Sequence, residues 1–314
     1  MHSRIEEGDR QKVKIAVLDT GIDTKHPFIK GAISAGRIAK TYRSFVTGDS
    51  SIEDSAGHGT HVTSLILDVA PNSEVHVARI AQEMEIPYTH CIADVRPVVR
   101  ITSYPQLTSP QAIRWAINLE ADIINLSLGL EKEDNSIQEA ILKAVCQNII
   151  IFSAASNGGG NNCVTYPARK DEVICVYATD GMGTAFTGNP TTLKTSSYDF
   201  AALGIAVNSS WPKSVPIPQS ERLNTTGSSK RRMTGTSFAT PIAAGVAACI
   251  IDFAYMIGLP EVKLLKARQG MQKVMKGLMV DGKRSELDYL RPWAMFEDKS
   301  DEKIMHLMSY FLDH

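Results

Sequence analysis

Ser237 lies in Thr234-Gly235-Thr236-Ser237-Phe238-Ala239-Thr240-Pro241, where a turn of small residues runs into a long apolar stretch with the composition of a helix. A serine at a helix entrance has its hydroxyl beside backbone N–H groups that lack intrahelical partners, at the positive end of the helix dipole. Such groups can hold a developing negative charge, as a nucleophile in acyl transfer requires. Serine is also a favoured N-cap, so this position alone allows a purely structural role. The other chemistry-bearing residues decide between the two. Neutral serine is a weak nucleophile and needs a base within hydrogen-bond reach, and histidine is best suited to take a proton and return it. His58, in Gly57-His58-Gly59-Thr60-His61, is the candidate base. Asp19, in Val17-Leu18-Asp19-Thr20-Gly21, is the candidate acceptor that fixes the histidine tautomer and stabilises its cation. Asn157, in Ser153-Ala154-Ala155-Ser156-Asn157-Gly158, carries a side-chain amide that could bind an oxyanion together with the Ser237 N–H.

Other chemistries fit the same residues poorly. His58 and His61 are three apart and lack the His-Glu-x-x-His arrangement of a catalytic zinc helix. Glycines 158 to 160 are not followed by the lysine and Ser/Thr of a phosphate-binding loop, and they read as room for the backbone near Asn157. A serine esterase would show Gly-x-Ser-x-Gly, where this chain has Gly235-Thr236-Ser237-Phe238-Ala239.

The blocks around Asp19, His58, Asn157 and Ser237 resemble, in the same order, those of the subtilisin-like serine proteases. The order Asp, His, Ser separates that family from chymotrypsin and the α/β-hydrolases. The resemblance spans roughly residues 12 to 257. It implies an α/β, three-layer fold with a central, mostly parallel sheet and helices on both faces. It also implies a serine endopeptidase with Asp19, His58 and Ser237 as its triad, Asn157 in the oxyanion hole, an acyl-enzyme intermediate, a polypeptide substrate and no catalytic metal or other cofactor. A structural calcium ion is compatible with the family, but no residues here designate one. By the same resemblance Ser127, Leu128 and Gly129 line the primary specificity pocket and pair with the substrate backbone, opposite Ala154, Ala155 and Ser156. Part of 102–106 would form the second wall of the cleft, completing a β-augmentation site. Kexin-like relatives carry acids after the same turn and cleave after basic residues. Here Glu131, Glu133 and Asp134 follow it out of register, so side-chain preference stays open. Asp23 and His26 match family positions with structural roles, Asp54 is expected to shape the pocket beside His58, and His61 to pack behind the site. The alternative is a catalytically silent module of the same fold, against which stands the presence of all four chemical residues.

The elements that must position these groups alternate. Residues 13–18, 75–80, 122–128 and 148–154 read as strands, and 57–70, 109–119 and 136–147 as helices. The nearly all-apolar run at 13–18 suits a strand buried on both faces of a parallel sheet. Right-handed βαβ units follow, and they bring Asp19, the Ser127-Leu128-Gly129 turn and Asn157 to the carboxyl edge of one sheet, where open α/β sheets place their sites. Residues 81–108 have no clear period. Beyond the catalytic domain, expected over 1–258, a C-terminal extension at 259–314 reads as helical, with one helix from 259 onward and a charged one over 298–311.

Composition sets the outer bounds. The chain has 314 residues, 43% of them hydrophobic, enough for a large core. A net charge of −1 provides no field to attract nucleic acid or an anionic membrane, so neither is expected as a partner. The apolar run 241–251 is too short to span a bilayer and is followed by Asp252, which is expected to break it. Five cysteines, an odd number with no C-x-x-C pair, and a polar N-terminus without an apolar signal region lead to the expectation of an intracellular, cytoplasmic protein with reduced thiols, possible as one domain of a longer parent.

Overall fold

The computed structural model describes residues 11–82, 109–192, 200–217, 229–280 and 287–314. Strand β1 (Lys14–Asp19) shows why the architecture is layered. Successive side chains of a strand point to opposite faces, and here both sets are apolar. Ile15 and Val17 enter a core shared with helices α2 (His58–Val69) and α5 (Thr236–Met256). Ala16 and Leu18 enter a second core under α3 (Ser109–Asn118) and α4 (Asn135–Cys146). The sheet is therefore the middle of three layers.

The remaining strands are β2 (Arg43–Ser44), β3 (Glu74–Arg79), β4 (Ile123–Leu126), β5 (Ile150–Ala154), β6 (Ile174–Thr179), β7 (Phe200–Leu203) and, far along the chain, β10 (Asp288–Tyr289). They form one eight-stranded sheet in the order β10-β7-β6-β5-β4-β1-β3-β2. Every pairing in it is parallel. From β1 the chain crosses through α2 to β3 on one side, then returns to β4 on the other side of β1. The strand order reverses there, and the crevice of such a sheet opens outside the carboxyl ends at the reversal. Asp19 is the last residue of β1, so the fold aims it into that crevice.

A separate antiparallel ribbon, β8 (Val207–Ser210) with β9 (Lys230–Met233), leads directly into α5. The α5 helix has 21 residues and runs through Asp252. That carboxylate, which interrupts the apolar run in the sequence, is buried within the helix and accepts from the Asn72 side chain at 3.0 Å. By length and hydropathy α5 could cross a membrane, yet it is the central helix of the larger core. After it come α6 (Val262–Leu265), α7 (Arg268–Met279) and α8 (Asp301–Asp313). Their apolar residues, among them Leu265, Met271, Met275, Ile304 and Met308, belong to the same core as Ile15 and Ala244. Short α1 (Pro27–Ser34) is capped by His26 and was not anticipated. The expected second wall at 102–106 lies outside the described residues.

Candidate active site

At the carboxyl end of β1 the carboxylate of Asp19 accepts two bonds on Oδ1, from the Thr20 N–H at 2.8 Å and from Nδ1 of His58 at 2.7 Å. Both partners are almost fully buried, which strengthens the interaction and holds the imidazole in one orientation. His58 is the first residue of α2, and its place is set by a network on Asp54. One Asp54 oxygen accepts from the Thr20 hydroxyl and the Gly57 N–H, each at 2.7 Å, and the other accepts from the Thr60 N–H at 2.8 Å. Thr20 Oγ1 in turn accepts from the Gly59 N–H at 2.9 Å. The end of β1 and the start of α2 are thus tied through buried polar groups. Burial pushes the Asp54 carboxyl up, against the hydrogen bonds from Thr60 and Thr20 that favour its charged form. The glycines flanking His58 are required: Gly57 has φ +83, and a Cβ on Gly59 would overlap the carbonyl oxygen of Gly21.

Ser237 is the second residue of α5 and is buried. The cap position belongs to Gly235, with φ +148 and no side-chain cap bond, so Ser237 is not spent on capping. A Cβ on Gly235 would come within 2.9 Å of Asn157 Nδ2, and this close approach brings the Asn157 amide to the helix entrance. Asn157 Oδ1 accepts from the Thr236 N–H at 2.8 Å and from its hydroxyl at 3.2 Å. The amide is therefore oriented with its NH2 as the end that can donate to a ligand. Phe238 packs its ring 5.3 Å from the His58 imidazole, which places the residue after Ser237 directly against the candidate base. Nε2 of His58 is buried and has no hydrogen-bond partner among the described residues.

His61 lies behind Phe238, with ring centroids 4.8 Å apart, and its Nε2 faces the Arg231 carbonyl at 3.0 Å. Burial pushes its pKa down to about 3, so it is neutral and stands apart from the proton traffic. Asp23 and His26 are structural: the Asp23 N–H donates to Thr60 Oγ1, and His26 caps α1 while its Nε2 meets the Ser229 carbonyl.

The other expected site residues sit at the carboxyl ends of β4 and β5. Ser127 and Leu128 have buried side chains, and Gly129 lies so close to Thr165 that a Cβ would overlap its hydroxyl. Ala154 and Ala155 are buried, and Ser156 takes φ +152, a strained value for a residue with a Cβ. Of the acids after Gly129, Glu133 pairs with Arg169 and Lys170, and Asp134 caps α4. Thr20 and Thr236 were missed by sequence reasoning, although each stands beside a chemical residue.

A family model described as the subtilase family matches residues 10–287. The chain belongs to this family. The subtilisin-like protease het-Q2 of Podospora anserina is 30% identical over 285 residues, covering 77% of this chain and 70% of that protein. Subtilisin BL of Lederbergia lenta is 32% identical over 243 residues, covering 76% of each. The protease domain of PatA matches with a TM-score of 0.67 at 21% identity over 95% of both chains. A lanthipeptide protease matches with a TM-score of 0.68 at 18% identity, over 94% of this chain and 87% of that one. Likeness at those two identities shows the fold, while the family match and the curated subtilisins make this subtilase a serine endopeptidase.

Proposed function

We propose that this subtilase hydrolyses polypeptides through an acyl-enzyme at Ser237, with His58 as base and acid, Asp19 as the carboxylate that orients it, and Asn157 with the Ser237 N–H as oxyanion donors. The observation that carries this reading is the buried 2.7 Å bond between His58 Nδ1 and Asp19 Oδ1, which engages one ring nitrogen and leaves Nε2 as the basic one. In the first step Ser237 Oγ bonds to the scissile carbonyl carbon, its proton passes to Nε2, and the carbonyl electron pair moves onto oxygen. The oxyanion then lies between the Asn157 NH2 and the Ser237 N–H. Collapse breaks the C–N bond, and Nε2 returns the proton to the leaving amine. Water attacks the acyl carbon by the same route in reverse, giving a proton to His58, and Ser237 regains one as it departs. Side chains and backbone of this chain supply every group these steps require. Catalytic hydrogen bonds commonly tighten only when substrate closes the site, which accommodates the unpartnered Nε2.

Because the side chains of Ser127 and Leu128 are buried, what they offer an extended peptide is backbone, as β-augmentation requires. Cleavage after basic residues has no support from Glu133 and Asp134, both engaged elsewhere. An intracellular site of action is part of this reading, motivated by an odd number of cysteines without a C-x-x-C pair; among the described residues Cys146, Cys163, Cys175 and Cys249 form no disulfide.

The test is pre-steady-state hydrolysis of a nitrophenyl ester. An acyl-enzyme predicts a burst equal to the enzyme concentration, absent in Ser237→Ala. Burst-free release at the same rate in both proteins would contradict it.

A further inference from the structure

Beyond the carboxyl ends of the paired strands β4 and β5 the chain forms two loops, 127–130 and 154–157, and a third segment joins them. Thr165 is tied to the second loop, its N–H and its hydroxyl both donating to the Ala155 carbonyl, at 2.9 and 3.0 Å. Tyr166 is tied to the first loop: its N–H donates to the Leu130 carbonyl at 2.9 Å, and its own carbonyl accepts from the Leu130 N–H at 2.7 Å. The Thr165 side chain reaches the first loop as well. A Cβ on Gly129 would overlap the Thr165 hydroxyl oxygen and stand 2.7 Å from its Cβ and 3.3 Å from its methyl. One β-branched side chain therefore spans the gap from loop to loop. Gly129, Ser156 and Thr165 are each partly exposed, whereas Leu130, Ala155 and Tyr166 behind them are buried.

This gap adjoins the place where the bond is cut. The residue that supplies the scissile carbonyl has its Cα one bond from that carbon, so with the oxyanion at Asn157 its side chain enters between the loop that ends on Asn157 and the loop that begins at Ser127. There it meets Thr165. Neither floor nor walls can recede: Tyr166 and Leu130 belong to the core under α3 and α4, and Ala154 and Ala155 are buried. Alanine adds only a methyl above Thr165. A leucine or phenylalanine must displace Thr165 from Ala155 and Gly129, or else tilt its own carbonyl away from the oxyanion donors. Either way transition-state positioning suffers.

From this geometry we infer that the subtilase cleaves after small residues, alanine above all, and that Thr165 sets this preference by filling the space between the two loops. The inference rests on the triad and oxyanion reading above and on the two loops as walls of the specificity pocket. It adds the side chain that this pocket selects. Thr165 acts by its bulk, with the hydroxyl bond to Ala155 holding that bulk in place.

The experiment compares quenched peptides that differ only at the residue before the cleaved bond, as Ala, Leu or Phe, with product masses fixing the bond. Nitrophenyl acetate, whose acyl group has no side chain, is the control for the triad. Expected in wild type is kcat/KM about tenfold higher for Ala than for Leu and about a hundredfold higher than for Phe. Thr165→Gly should raise Phe relative to Ala by about tenfold or more, and Thr165→Ala, which keeps a Cβ, should do so in smaller measure. Thr165→Val, with the same shape and no hydroxyl, should keep the wild-type order. A flat or reversed order in wild type, or an unchanged Ala-to-Phe ratio in folded Thr165→Gly or Thr165→Ala, with the acetate still hydrolysed, would overturn this inference and leave the triad reading standing. Loss of the order in folded Thr165→Val would overturn it too, because bulk would then not be the cause. Failure of wild type to hydrolyse the acetate and all peptides would overturn both readings.

Discussion

Asp19 and Asp122 stand at opposite ends of the same pair of parallel strands, both buried, and their surroundings differ in kind. At the amino end Asp122 has both oxygens engaged: one accepts from the Lys14 backbone N–H at 2.8 Å, and the other is paired with the Lys266 ammonium. Burial alone would push Lys266 down, but its bond to Asp122 prevails and holds it up. At the carboxyl end Asp19 Oδ2 and His58 Nε2 are buried without partners among the described residues. The strained Ser156 and the glycine-only conformation of Gly235 belong to this same end. A buried polar atom left unpaired costs stability, and so does a strained φ. Of these two aspartates the one at the amino end is fully satisfied, and the one at the carboxyl end leaves an oxygen unpaired where the chemistry is proposed.

The comparison breaks most visibly under paired substitution. Asp19→Asn should lower kcat/KM by about 10⁴ through loss of the correct tautomer, with only a small change in thermal stability. Asp122→Asn should do the opposite, costing about 2–4 kcal/mol by stranding the partly buried Lys266, with kcat/KM little changed. Steady-state kinetics and urea melts on both variants decide, and equal activity losses would erase the distinction. Next in size is Asn157→Ala, expected to lower kcat by about 10² to 10³ with little effect on KM, the magnitude being that of the corresponding donor in subtilisin. A loss carried mainly by KM would make Asn157 a ground-state contact.

A smaller effect comes from His61. Its folded pKa of about 3 lies below the value near 6.5 of an unfolded histidine, so between them the unfolded chain binds the extra proton. The stability tied to neutral His61 is therefore complete above pH ~6.5 and lost as pH falls toward ~3, at up to about 1.4 kcal/mol per unit. His61→Gln should remove that slope from urea melts taken between pH 7 and 4. Identical slopes in the two proteins would show that His61 is not held neutral. Smallest is Ser156→Gly, where relief of the positive φ outweighs the entropy of a new glycine and should raise stability by about 1 kcal/mol. A lower melting temperature would mean that Ser156 carries no strain.

The residues with distinctive chemistry were legible because each sits in a short local signature at the end of a periodic element, as Asp19 does after β1 and His58 at the start of α2. What escaped depends on partners far away in the chain. Thr20 and Thr236 take their roles from Asp54 and Asn157, 34 and 79 residues distant. Asp252 reads as the end of an apolar run and is instead a buried acceptor for Asn72, 180 residues away. The ribbon of β8 and β9 hides because its inward face includes Ser209 and Arg231, polar groups buried only because α2 and Trp211 cover them. The C-terminal helix α8 looks charged along its length, but Ile304, Met308 and Leu312, four residues apart, form its buried stripe.

The central claim is that Ser237 is a nucleophile activated by His58. The most direct measurement is labelling with a fluorophosphonate followed by mass analysis of the digested protein. The account predicts one adduct, on the peptide containing Ser237, absent in Ser237→Ala and nearly absent in folded His58→Ala. Equal labelling of wild type and Ser237→Ala, or no labelling of folded wild type, would contradict it.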